Sequence, residues 1–63
     1  MVKIRYKNQE WDLRPGLTVD AAMRKVGVSR EEALPLINKR LVAEDTILRA
    51  GDMLELVPVV SGG

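Results

Sequence analysis

Almost none of the side chains that perform covalent chemistry occur in this chain. Its 63 residues include neither Cys nor His, so the nucleophile–base pairs of hydrolases and acyl transferases cannot be assembled. The hydroxyls of Thr18, Ser29, Thr46 and Ser61 have no base to activate them. The carboxylates of Glu31-Glu32 and Glu44-Asp45 lie in polar stretches that read as solvated surface. Metal binding would fall to carboxylates alone, and no disulfide can form. One group stands apart, the α-carboxylate of Gly63 at the end of Ser61-Gly62-Gly63. An α-carboxyl group titrates near about 3.3–3.7, so at neutral pH it is ionised and a poor electrophile. It becomes reactive only when a partner converts it to an activated acyl species.

The residues before that carboxylate suit such handling. Gly62 and Gly63 have no Cβ, so the backbone can approach a protein wall closely and take conformations closed to other residues. They follow an apolar run, Leu54-Glu55-Leu56-Val57-Pro58-Val59-Val60, that reads as a final strand. The five residues after Pro58 span up to roughly 17 Å when extended, enough to enter a buried site while the body stays docked outside. The competing structural reading is a frayed end, the usual state of a terminus.

Composition narrows the remaining classes. A chain of this length forms one domain and buries only about 60% of its unfolded surface. There is no Phe, so the core must come from Val, Leu, Ile and Met, with Trp11. Ten Lys and Arg are interleaved with nine Asp and Glu for a net charge of +1. That mixture is unlike the pooled basic stripe of a nucleic-acid protein. No apolar stretch approaches the roughly 20 residues that span a bilayer, and Met1-Val2-Lys3-Ile4-Arg5 is unlike a signal peptide. The expectation is a cytoplasmic protein without nucleic-acid or membrane partners.

The elements that would hold the tail follow from periodicity. Val2, Ile4 and Tyr6 alternate with Lys3, Arg5 and Lys7, and Trp11 and Leu13 alternate with Glu10, Asp12 and Arg14. Period-two alternation indicates strands with one buried face. A two-residue loop at Asn8-Gln9 would pair Lys7 with Glu10, Arg5 with Asp12, Tyr6 with Trp11 and Ile4 with Leu13, leaving Lys3 against Arg14. After Pro15-Gly16, Thr18 is placed to cap a helix from Val19 to Val26. Its apolar stripe is Val19, Ala22, Met23 and Val26, at helical spacing; Met23 reads as core rather than a ligand. Asp20 and Arg24 can pair on the solvent side, and Gly27 is placed to end the helix in the left-handed region. Ser29 and Glu32 have capping-box spacing, which predicts one extra helical turn from Ser29 to Ala33. Extended structure returns at Leu34, turns at Asn38-Lys39 and continues through Leu41-Val42. Glu44-Asp45-Thr46 reads as loop, Ala50-Gly51-Asp52 as a second turn, and Met53 to Val60 as the last strand.

A hairpin, a helix across it and later strands joining the same sheet describe an α+β, ubiquitin-like β-grasp fold, a mixed sheet with one helix packed across it. The right-handed crossover rule puts the final strand parallel to the first, at the centre of the sheet. Leu36-Ile37-Asn38, Leu41-Val42, Glu44-Asp45-Thr46, Leu48, Gly51-Asp52, Leu54-Glu55-Leu56 and Pro58-Val59-Val60-Ser61-Gly62-Gly63 carry a family resemblance. Together, and in element order over the whole chain, they resemble the ubiquitin-like sulfur carriers of the ThiS/MoaD family. Lys39 departs from the Asn-Gly turn of many members. The short chain resembles the thiamine carriers, while the tail looks more like that of the molybdopterin carriers.

The resemblance implies residues 1–60 as the β-grasp domain and 61–63 as a flexible tail. It further implies a carrier, not an enzyme. An E1-like adenylyltransferase consumes ATP to adenylate Gly63. A persulfide sulfur donor then exchanges AMP for sulfur, and an acceptor synthase uses the resulting thiocarboxylate for thiamine, molybdopterin or tRNA. No cofactor is bound, and the free chain is expected to be a monomer. If Leu54 and Leu56 face the core, Val57 and Val59 form an exposed apolar pair, extended by Leu41, where a partner can dock; the alternative packs Val59 under a loop. Two other functions use the same features. One is a modifier joined through Gly63 to lysines; the other is an interaction module with an inert tail. Inward-facing Tyr6 and Trp11 leave no stacking platform for RNA.

Overall fold

The computed structural model describes residues 1–59. In chain order its elements are β1 (Val2–Tyr6), β2 (Gln9–Leu13), α1 (Val19–Val26), β3 (Ala33–Ile37), β4 (Arg40–Leu41) and β5 (Met53–Pro58). The five strands form one sheet in the order β2-β1-β5-β3-β4. β5 lies parallel to β1 and antiparallel to β3, so the last strand is central, as the crossover rule requires. This is a β-grasp fold. The part of the expected last strand at Val60, and the tail Ser61, Gly62 and Gly63, lie outside the described residues.

Local signals place the helix within the limits expected. Thr18 is its N-cap, with the side-chain oxygen accepting from Ala21 N at 3.1 Å. Gly27 closes it at φ 78°. Asp20 and Arg24 pair at 3.2 Å. The first helical N–H groups, which have no partners within a helix, are satisfied from a distant loop: Val19 N donates to Thr46 O and Asp20 N to Glu44 O, both at 2.9 Å. That loop also carries Leu48 into the core, where it is fully buried.

The core is aliphatic. Val2 and Ile4 of β1, Leu54 and Leu56 of β5, Ala33 of β3 and Val19, Ala22 and Met23 of α1 are buried in one cluster. Tyr6 and Trp11 point to this side but are only partly buried against it. The two aromatics flank the core instead of filling it.

Two expectations are corrected. The hairpin loop is Lys7-Asn8, not Asn8-Gln9, and the register pairs Val2 with Leu13, Lys3 with Asp12, Ile4 with Trp11, Arg5 with Glu10 and Tyr6 with Gln9. Lys7 takes positive φ, at 54°, a strain of roughly 1–2 kcal/mol for a residue with a Cβ. The offset is visible in the pairing. The expected register would set Val2 opposite Pro15, which has no N–H to donate, and Lys3 opposite Arg14. The observed one gives Lys3 the carboxylate of Asp12 as neighbour and lets Glu10 reach Lys3 and Arg5, each at 3.6 Å. Cross-strand pairs of this kind contribute roughly 0.2–1 kcal/mol each, enough together to outweigh one strained turn residue. A shift of two residues keeps every side chain on its expected face.

The second correction is at Ser29. Its hydroxyl donates to Glu32 Oε1 at 3.3 Å, and Glu32 N and Ala33 N both donate to Ser29 O. The chain makes one turn there, but no helix forms. Ala33 is already in β3 opposite Pro58, and Leu34 is held extended by the proline that follows it. The turn at Asn38-Lys39 forms as expected, and without glycine: Asn38 and Lys39 both take positive φ, at 53° and 65°.

Candidate docking face and carboxyl-terminal exit

α1 covers one face of the sheet and leaves the other open. Alternation along β5 puts Leu54 and Leu56 on the covered side and Val57 on the open side, where it is 37% exposed. Val59 continues the alternation just past the strand. Its N–H donates to Glu32 O at 2.8 Å, one step beyond the Ala33–Pro58 pair, and its side chain is 39% exposed. Val59 is therefore on the surface and not under a loop.

Leu41 reaches the same face by register. It pairs with Leu36 across β3 and β4, while Leu36 pairs with Glu55 and Leu34 with Val57 across β3 and β5. Directly paired residues share a face, so Leu34, Leu36, Leu41, Val57 and Val59 make one apolar surface over three strands. Leu41 is the most exposed of them, at 66%. It stands two strands from Val57, and β3 supplies the residues between. Leu34 and Leu36 escaped the sequence reading. Their alternation was legible, but the neighbour of β3 was not.

On the β1 side the open face turns polar. Arg5 and Lys7, with Glu55, Val57 and Pro58, line a shallow cleft of about 310 Å³ beside the end of β5. Lys7 lies over the Tyr6 ring, 5.3 Å from its centroid. The end of the central strand is thus bordered by the apolar surface on one side and by cations on the other. Among the described residues no group of three or more Asp and Glu is placed to hold a metal ion.

The molecule is a small ubiquitin-like β-grasp domain with one sheet face open, and in sequence its central last strand is followed by a tail that ends in Gly62-Gly63. A family model described as the ThiS family matches residues 2–63, and the chain belongs to that family. Its members are small sulfur carriers. The match runs through Gly63 and so includes the tail.

Proposed function

We propose that Gly63 is the working group of this carrier. Its carboxylate attacks the α-phosphorus of ATP in the site of an E1-like enzyme, forming the acyl-adenylate and releasing pyrophosphate. The terminal sulfur of a persulfide donor attacks the acyl carbon and AMP departs. A thiol then reduces the acyl disulfide and leaves a thiocarboxylate on Gly63. An acceptor synthase uses that sulfur for thiamine, molybdopterin or a tRNA. ATP belongs to the activating enzyme, and the carrier itself binds no cofactor in this reading. Residues 1–60 act as the docking body and 61–63 as the delivered tail, in a cytoplasmic monomer.

The observation that carries the proposal is the whole-chain family match ending on Gly62-Gly63. The apolar surface of Leu41, Val57 and Val59 beside the end of β5 supports it, because a partner seated there would have the tail within reach. No helix among the described residues is long and apolar enough to cross a membrane. Intact-mass measurement of the protein from its own host tests the reading. A gain equal to exchange of one oxygen for one sulfur is the expected result. A ladder of lysine conjugates would make the chain a modifier instead.

A further inference from the structure

β2 forms one margin of the sheet, with β1 as its only neighbour among the described residues. Which of its backbone groups are free follows from β1. Lys3 N donates away from β2, to Asp52 O at 3.0 Å, so Lys3 and Asp12 are a pair without mutual hydrogen bonds. Alternation along an antiparallel ladder then gives Glu10, two residues earlier, the same status. The N–H and C=O groups of Glu10 and Asp12 therefore point outward, and no described backbone group bonds them. Both side chains are exposed acids on the open face; Glu10 already faces Lys3 and Arg5 of β1 at 3.6 Å, and no ion pair is formed by Asp12 among the described residues. At the same edge, a groove of about 350 Å³ is lined by Met1, Asp12, Leu13, Arg14, Leu17 and Lys25.

We propose that this margin is a second partner surface, which accepts an extended strand of alternating basic and aliphatic residues. Main-chain groups of the added strand pair with Glu10 and Asp12, in the manner of strand addition to a sheet edge. Its Lys or Arg side chains lie beside the two carboxylates, and its aliphatic ones lie beside Trp11 and Leu13 and enter the groove. The charges also select against self-pairing. A second copy added antiparallel at this edge would set Glu10 and Asp12 against the same acids of its neighbour, and like charges placed opposite each other are destabilising. The inference rests on the edge, its acids and the groove, and stands apart from the sulfur-carrier reading.

Amide hydrogen exchange followed by NMR on the full chain tests it, with a blocked heptapeptide of alternating lysine and valine as probe. Exchange at Glu10 and Asp12 should slow about twofold when free peptide equals its Kd and about elevenfold at ten times that. A glutamate–valine peptide should leave both amides unchanged, and Asp12→Lys should weaken the lysine peptide while the spectrum stays folded. The proposal is overturned if about 1 mM lysine–valine peptide leaves both amides unprotected. It is equally overturned if the peptide perturbs Leu41 and Val57 instead, or if the chain alone dimerises through Gln9–Leu13.

Discussion

Along β5, Leu54 and Leu56 are sealed against α1 at 0% and 2% exposure, whereas Val57, one residue on, stands 37% exposed on the opposite face. The same strands thus build two surfaces with different duties. The covered face holds the aliphatic side chains that stabilise the domain. The open face keeps Leu34, Leu41, Val57 and Val59 in water at some hydrophobic cost, and stability gives no reason for their clustering. In a chain of 63 residues the covered face has little reserve, so the two faces should respond to substitution in opposite ways.

Breaking the covered face should have the largest effect. Leu54→Ala leaves a cavity between β1, β5 and α1 and should cost about 2–5 kcal/mol, most of the stability of a small domain. Thermal or urea unfolding followed by circular dichroism should find the variant largely unfolded at 37 °C. A smaller loss, about 1 kcal/mol, is expected from Thr18→Ala, which removes the acceptor for Ala21 N. The same unfolding measurements would register it as a lower midpoint with unchanged slope.

Substitutions on the open face sharpen the contrast because their effect should appear in partner binding. Val57→Lys should change stability by about 1 kcal/mol or less. In an ATP–pyrophosphate exchange assay with the cognate activating enzyme, it should raise the carrier KM by on the order of tenfold, the scale of an interface hot spot. Unfolding of this variant would mean that Val57 supports the core and that the two faces are not distinct. The smallest effect on folding belongs to Gly62→Ala, since the substitution adds one methyl outside the strands. Exchange activity should nevertheless fall close to zero as the added Cβ meets the wall of a narrow channel. Wild-type exchange from Gly62→Ala would make the terminal glycines incidental.

Several features were legible in the sequence because they depend on neighbours within one or two turns of chain. The limits of α1 follow from Thr18, the Val19–Ala22–Met23–Val26 stripe and Gly27, all within ten consecutive residues. The faces of β1, β2 and β5 follow from strict alternation, which survives a register shift of two. The absence of Cys and His leaves the Gly63 carboxylate as the candidate reactive group however the chain folds.

Tertiary structure decided what depends on residues far apart in sequence. Two hairpin registers satisfied the local charge pattern, and the choice involved the partners of Val2 and Lys3 over the whole ladder. The turn at Ser29 closes but goes no further as helix, because Ala33 pairs with Pro58 in the sheet. Leu34 and Leu36 joined the apolar surface only because β5 inserts between β1 and β3, setting Lys3 beside Met53 and Leu34 beside Val57. Periodicity assigns a side chain to a face of its own strand. Which strands share that face is decided by long-range pairing, whose free energy appears only when the sheet assembles.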